Sequence, residues 1–224
     1  MDNSTDKLSD WNSAPIIQIA NVKIPKFLLV VLFCICFPPG MDELCSQSTT
    51  DQIEVGDDGI MRWHADGKEV TGFGFNYTVP FAHAYRMGKK MGIDLKKAID
   101  QDVYQFARLG FDLYRVHVWD CEISDSLGNL IDNEHLELLD YLLKSLKDHH
   151  INAILAPIAY WGNGWPDPDE PTPGFSTKYG KDNCLVNPAA IKAQQNYLAQ
   201  FVKHVNRYTG VAYKNENGIL AFEI

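Results

Sequence analysis

Between residues 60 and 224, short apolar segments alternate with longer segments of helical periodicity. Four apolar segments have the length and composition typical of strands: Thr71–Thr78, Phe111–Trp119, Ile151–Pro157 and Gly218–Ile224. The three segments between them repeat apolar residues at helical spacing, and each has a capping residue at its start: Asp94, Asn133 and Asn187. The pattern predicts the order strand, helix, strand, helix, strand, helix, strand.

This alternation predicts an α/β fold, because strands joined through helices form a parallel sheet with right-handed crossovers. The segment Ile151–Pro157 is almost continuously apolar, as expected for a parallel strand buried on both faces. No Gly-rich phosphate-binding loop follows any of the four strand segments. The pattern therefore argues against a nucleotide-binding, doubly wound sheet.

The N-terminal region has the pattern of an export signal. Phe27–Phe37 is an uninterrupted apolar run, shorter than the about 20 residues that a membrane-spanning helix needs. Lys23 and Lys26 precede it, and a cleavage site before Gln47 has suitable residues around it. We therefore predict an N-terminal extension and signal peptide over residues 1–46, and an exported protein that is periplasmic, cell-surface or extracellular, with no stable membrane span.

Other interpretations of this region remain open. The polar stretch Met1–Asn21 is too long for an ordinary signal-peptide start, so one hypothesis is that translation begins near Val22. Phe27–Phe37 could also be a core strand or an interfacial anchor. Residues 47–58 are polar and predicted to be a linker, and residues 59–224 form the predicted folded domain, beginning with a hairpin around Asp66-Gly67.

Charge and motif spacing argue against several classes of partner and cofactor. The sequence has 29 acidic and 20 basic residues, a net charge of −9, which disfavours binding to nucleic acid. Cys121 and Cys184 lack metal-ligand spacing, and either two buried thiols or one disulfide is compatible with them, the thiols being favoured. The histidines include no HExxH motif, so neither a metal nor a cofactor is expected. Five of them are expected at the surface: His64, His135, His149, His150 and His204.

The second strand segment carries candidate site residues. Alternation places Arg115, His117 and Trp119 on one face and apolar residues on the other. In (β/α) barrels, function lies at the carboxyl ends of the strands, where an arginine can hold a carboxylate through two hydrogen bonds. We predict this role for Arg115, whereas His117 is equally compatible with a hydrogen-bonded core residue.

Two features outside the second strand segment suggest catalytic or sugar-binding residues. Asp120 and Glu122 form the kind of acidic pair that glycoside cleavage needs, but residues two apart do not face each other across a substrate, so solvated loop carboxylates are expected. An unrelated enzyme using them with a metal remains an alternative.

In the long segment Ile158–Val186, Trp161 and Trp165 are predicted to stack on sugar rings, unless they pack the loop onto itself.

Four ordered motifs, GFNY, GFDLYRVHVW, AYWGNGW and ILAFEI, resemble the cellulase and mannanase type of glycoside hydrolase, family five of clan A, over Ile60–Ile224. The resemblance implies a (β/α)8 TIM barrel of which this chain has only the first four β/α units. It also implies hydrolysis of O-glycosyl bonds in a β-linked poly- or oligosaccharide by a retaining mechanism with two glutamates. Mannan, glucan and galactoside substrates all remain open.

The same resemblance assigns roles to individual residues. Both catalytic glutamates are expected beyond Ile224, and Glu223 matches the residue before the family's Asn-Glu-Pro motif. Arg115 would hold the nucleophile, and Trp161 with His117 would line the sugar pocket. Without its two acids the chain is expected to be inactive as a fragment. The alternative is a non-catalytic carbohydrate-binding protein.

Overall fold

The computed structural model describes residues 52–159 and 174–224. The first described elements are two short antiparallel strands, β1 (Ile53–Val55) and β2 (Met61–Trp63). β1 lies within the predicted linker 47–58, where it pairs with β2. Beyond β2 the chain turns at Asp66-Gly67 and forms an antiparallel bridge between Arg62 and Glu69, as the predicted hairpin requires.

The remaining elements alternate strands with helices. In chain order they are β3 (Gly74–Tyr77), α1 (Ala82–Lys90), α2 (Leu95–Arg108), β4 (Leu113–His117), α3 (Asp120–Ile123), α4 (Glu134–Asp148), β5 (Asn152–Ala156), α5 (Phe175–Tyr179), α6 (Lys181–Val186), α7 (Pro188–Phe201) and β6 (Ile219–Phe222). Strands β3, β4, β5 and β6 form one parallel sheet in that order. The predicted α/β fold with a parallel sheet is confirmed.

The predicted capping residues begin the three long helices. The side chain of Asp94 accepts hydrogen bonds from the backbone of Lys96 and Lys97, and Asn133 accepts one from Leu136. Asn187 caps α7 in the same way, with Pro188 in the first turn. Each cap satisfies backbone N–H groups that a helix leaves without an internal partner, so these helix starts follow from local sequence.

The hydrophobic core lies between the helices and one face of the sheet. β4 alternates between buried and partly exposed residues, with Tyr114 and Val116 fully buried on the helix side. They pack in one cluster with apolar residues of α2, α4 and β5, including Ile99, Val103, Leu139, Leu142 and Leu155. The alternate residues of β4 face the other side of the sheet, where Arg115 and His117 are partly exposed.

Two further predictions concern cysteines and membranes. Cys121 and Cys184 are both buried free thiols, so the favoured interpretation holds in the structure. Within residues 52–159 and 174–224, no helix combines the length and apolar character needed to cross a bilayer. The apolar run Phe27–Phe37, on which the export prediction rests, lies outside the described residues.

Candidate functional site

A group of polar side chains lies at the carboxyl ends of the parallel strands. Arg115 of β4 reaches across the sheet to Glu223, which directly follows β6, with Nε 2.6 Å from Oε2 and Nη2 2.5 Å from Oε1. Its Nη1 donates to Oδ1 of Asn76 on β3 at 3.2 Å and also contacts Nε2 of His117. We call Asn76, Arg115, His117 and Glu223 the rim cluster.

The backbone register explains why these residues meet. Asn76 lies directly beside Arg115 in the β3–β4 pair, and His117 follows Arg115 by two residues on the same face of β4. Glu223 extends β6 by donating its backbone N–H to the Leu155 carbonyl of β5 at 2.8 Å. Three strands thus bring the polar groups to one end of one sheet face.

Close contact shifts the pKa values of the titratable groups in the rim cluster. The Arg115 guanidinium holds the pKa of Glu223 below its usual value, and Glu223 in turn raises the pKa of Arg115. Burial, and secondarily the charge of Arg115, lowers the pKa of His117. A neutral His117 can accept at Nε2, and because a guanidinium has only donors, Arg115 donates to it. The Arg115 and Glu223 side chains remain 28% and 51% exposed, so the cluster is open to a ligand.

The structure describes three of the five predicted site residues. Arg115 and His117 share one face of β4, as the alternation predicts. Trp119 is partly buried and packs against the hydrophobic core next to α3. Trp161 and Trp165 lie outside the described residues.

Asn76 is a functional candidate that the sequence did not single out, and Glu223 was named only as the match to the residue before the Asn-Glu-Pro motif of the family that the chain resembles. Asn76 is one exposed polar residue within the motif GFNY, and Glu223 is one acidic residue at the end of an apolar strand. Their shared signal is a polar side chain at the carboxyl end of a parallel strand, which is where barrel enzymes concentrate function.

The prediction that Asp120 and Glu122 are solvated is wrong. Both are buried in α3, with 1% and 4% of their surfaces exposed. Glu122 accepts hydrogen bonds from the Ala82 N–H and from Nη1 of Arg86, each at 2.9 Å. Long-range partners thus compensate the burial of this carboxylate, although burial still raises its pKa.

His135 completes the surroundings of Glu122, and its predicted surface position is wrong as well. Its Nδ1 lies 3.6 Å from Oε2 of Glu122 and 2.7 Å from the Pro80 carbonyl oxygen, and the residue is 6% exposed. The ring packs beside Tyr85 with centroids 4.0 Å apart. His135 therefore helps to hold the segment after β3 against α4.

The surroundings of Asp120 come from residues that follow β5, on the side of β4 opposite to β3. Hydrogen bonding with the Ser176 side chain and with the backbone of Asp120, Ala159 and Ser176 acts to lower the pKa of its carboxyl. Burial is the largest influence on it and raises its pKa to about 7. Among the described residues, its Oδ2 has no hydrogen-bond partner.

The two carboxylates therefore do not form an acid and nucleophile pair. Glu122 binds the segment after β3, whereas Asp120 binds the segments after β5, and β3 and β5 flank β4 on opposite sides. In the part of the chain that the structure describes, no three His, Cys, Asp or Glu residues are grouped to hold a metal ion. Each carboxylate instead contacts a segment that follows a neighbouring strand of the sheet.

Comparison with solved structures identifies proteins that have a similar fold. No protein-family model and no curated protein matches the sequence. Among solved structures, the family 5 glycoside hydrolase mannosidase from Rhizomucor miehei matches with a TM-score of 0.56 at 17% identity, over 79% of this chain and 49% of that chain. The endo-1,4-beta-mannanase from the same organism matches with a TM-score of 0.52 at 20% identity, over 74% of this chain and 45% of that chain.

A third similar structure is the exo-beta-1,4-mannosidase Op5Man5 from Opitutaceae bacterium strain TAV5, with a TM-score of 0.51 at 19% identity over 75% of this chain and 27% of that chain. At these identities the comparisons establish similarity of fold. The chain spans half or less of the length of each of these proteins. The predicted resemblance to family 5 glycoside hydrolases is confirmed at the level of the fold.

Proposed function

We propose that this chain forms part of the sugar-binding pocket of a retaining glycoside hydrolase that cleaves O-glycosyl bonds in a β-linked poly- or oligosaccharide. In this proposal residues 59–224 are the first four β/α units of a (β/α)8 barrel. The acid/base and nucleophile glutamates are supplied outside these 224 residues. The observation that supports it most is the two-point pairing of Arg115 with Glu223 at the carboxyl ends of parallel strands.

The chemistry of the rim cluster suits this role. A nucleophilic carboxylate must be ionised to attack the sugar, and a guanidinium that binds it through two hydrogen bonds favours the ionised form. Arg115 already lowers the pKa of one carboxylate, that of Glu223, at this position. Asn76 and neutral His117 add groups that can hydrogen-bond to sugar hydroxyls.

Retaining hydrolysis needs two carboxyl groups about 5–5.5 Å apart on either side of the glycosidic bond. Glu223 is the one carboxylate of the rim cluster, while Asp120 and Glu122 are buried and bound to other loops. The described residues thus offer groups that bind and orient a sugar, and the cleavage step is assigned to the glutamates outside the chain.

β-1,4-mannan is the first substrate to test, because the three similar structures are named as mannanases and mannosidases. Titration calorimetry with mannohexaose should detect binding to the 224-residue chain, with weaker binding by Arg115→Gln. The matched control is Arg108→Gln, which changes an exposed arginine in the last turn of α2. Absence of binding to manno-, cello- and galacto-oligosaccharides would overturn the proposed pocket.

The same chain should release no product from aryl β-glycosides. Turnover by the purified chain, lost on substitution of Glu223, would place a catalytic acid inside the chain and overturn the assignment of both glutamates to outside it. A non-catalytic carbohydrate-binding protein is the alternative, supported by the aromatic residues of Ile158–Val186. It predicts that Trp161→Ala and Trp165→Ala abolish glycan binding while Arg115→Gln leaves it unchanged.

We also propose that the protein is exported, on the strength of Phe27–Phe37 and the lysines before it. A reporter fused after residue 58 should leave the cytoplasm and lose its N-terminal segment by cleavage before Gln47. Retention of the fusion in the cytoplasm, with an intact N-terminus, would contradict export.

A further inference from the structure

We propose that a cavity at the amino end of the parallel sheet is a second carbohydrate-binding site, which takes one or two rings of an uncharged sugar. The cavity has a volume of about 390 Å³, within the range of about 300–1,000 Å³ that small-molecule sites occupy. We call it the amino-end cavity, and its lining includes Trp63, Lys147, His150, Asn152, Asn217 and Gly218. This inference does not depend on the proposed function.

The amino-end cavity and the rim cluster lie at opposite ends of the strands. Asn152 is the first residue of β5 and Gly218 directly precedes β6, whereas His117 ends β4 and Glu223 directly follows β6. The five residues of β5 span about 16 Å as an extended strand, so the length of the sheet separates the two places. A ligand in the cavity therefore occupies a site of its own.

Trp63 has the surroundings of a binding residue rather than of a core residue. It is partly buried, but it does not belong to the hydrophobic core cluster or to the residues packed against it. Within residues 52–159 and 174–224, its ring contacts no other aromatic ring and its indole N–H has no hydrogen-bond partner. A flat apolar ring that lines a cavity in this way can stack on the apolar face of a sugar.

Two side-chain amides supply polar groups beside Trp63. Asn152 and Asn217 are partly buried, and neither side chain has a hydrogen-bond partner in the part of the chain that the structure describes. An amide both donates and accepts hydrogen bonds, as does a sugar hydroxyl, so the two groups are chemically matched. An aromatic surface with a few convergent polar groups is the usual composition of a small-molecule site.

The charges around the cavity favour an uncharged ligand. Nζ of Lys147 lies 2.7 Å from Oε1 of Glu216, whose other oxygen accepts a hydrogen bond from Thr209 at 2.8 Å. The Glu216 side chain is only 3% exposed, so its carboxylate depends on the ammonium group that compensates it. A phosphate or carboxylate ligand would thus find no uncompensated lysine or arginine in the lining.

His150 shows backbone strain at the edge of the cavity. It follows the last turn of α4 with a φ of 57°, in the left-handed region that glycine usually occupies at this position. Its ring has no hydrogen-bond partner among the described residues, so no contact within them compensates the strain. Strained residues of this kind concentrate at functional sites, and the His150 ring can hydrogen-bond to a ligand in the cavity.

Gly218 is the opposite case, a glycine that neither the backbone nor the packing requires. Its φ lies outside the left-handed region, and a Cβ added to it would meet no atom within 4 Å. Most side chains could therefore be accommodated by the fold at this position. The lack of a side chain leaves the lining of the cavity open beside Asn217.

Titration of the 15N-labelled chain with mannobiose, cellobiose and galactobiose tests the proposal, with AMP as an anionic probe. At least one disaccharide should shift the Trp63 indole N–H and the side-chain amides of Asn152 and Asn217. A site for one or two rings binds fewer atoms than a pocket for an oligosaccharide. These shifts should therefore saturate at higher sugar concentrations than those at the rim cluster.

Three variants separate binding from folding. Trp63→Ala removes the stacking surface and should weaken binding by about tenfold or more, followed through the two side-chain amides. Gly218→Val adds a side chain at the cavity without removing a packing contact, and should weaken binding to a similar extent. His150→Gly should lose about threefold to tenfold in affinity, while its urea midpoint stays level or rises, because glycine adopts a φ of 57° without strain. Arg108→Gln is the control and should bind as wild type does.

Binding of AMP with no binding of any disaccharide would overturn the inference, as would no shift at the cavity with any probe. Disaccharide shifts that are unchanged in both Trp63→Ala and Gly218→Val would also overturn it. Loss of the same shifts in Arg115→Gln would show that they report on the rim cluster, with the same consequence. Shifts at the amino-end cavity without any at the rim cluster would uphold the second site and refute the proposed function separately.

Discussion

Arg115 and Glu223 lie 108 positions apart in the sequence and meet through two hydrogen bonds at the carboxyl ends of β4 and the strand that precedes Glu223. The pair ties the second strand of the parallel sheet to the fourth across β5. It also gives the open sheet face a fixed guanidinium, oriented further by Asn76. A fixed cation at this end of a parallel sheet is the feature on which the functional proposal depends.

Arg115→Gln should raise the pKa of Glu223 towards its usual value, since the guanidinium is the largest influence that lowers it. It should also raise the pKa of His117 in part, because the charge of Arg115 is a secondary cause of its depression, after burial. NMR titration of the Glu223 carboxyl carbon and the His117 ring would measure both changes. Identical titration curves in wild type and Arg115→Gln would show that the pair does not form in solution.

The buried pair of Arg86 and Glu122 should matter for stability. Their side chains are 6% and 0% exposed, so Glu122→Gln removes a charge that the buried guanidinium needs, at a cost of roughly 3–5 kcal/mol. Glu134→Gln is the control, because Glu134 pairs with Lys89 at the surface and such a pair contributes about 0–1 kcal/mol. Urea unfolding would compare them, and equal losses in the two variants would contradict the structural role of Glu122.

Asp120 should make folding stability depend on pH. Its pKa is raised in the folded state, so its stabilising contribution is full below about pH 4 and is lost as the pH rises to about 7. Relative to Asp120→Asn, the free energy of unfolding of wild type should fall by roughly 1.4 kcal/mol per pH unit in this window. Chemical denaturation from pH 4 to 8 would test this, and a constant difference between the two proteins would contradict it.

Local sequence was sufficient where the structure uses local interactions. Asp94, Asn133 and Asn187 each cap the helix that they precede, so their side chains mark helix starts without tertiary information. The alternation around Arg115 likewise predicts which face of β4 is buried, because a strand exposes alternate residues to opposite sides.

Local sequence failed where the partners are distant. α1 was not predicted, because its start at Ala82 has no capping side chain nearby and binds Glu122, 40 positions away. Ala82 also has a φ of 53°, a conformation that alanine rarely adopts and that the local sequence does not predict. Asp120 and His135 were expected to be exposed to solvent for the same reason, because the residues that bury them belong to elements distant in the sequence.

NMR titration of the 15N-labelled 224-residue chain with mannohexaose tests the central claim most directly. The account predicts that amide shifts concentrate at the rim cluster of Asn76, Arg115, His117 and Glu223, and that they weaken in Arg115→Gln but not in Arg108→Gln. Shifts confined to the opposite, amino end of the strands, around Asn152 and Gly218, would contradict a sugar pocket at the rim cluster.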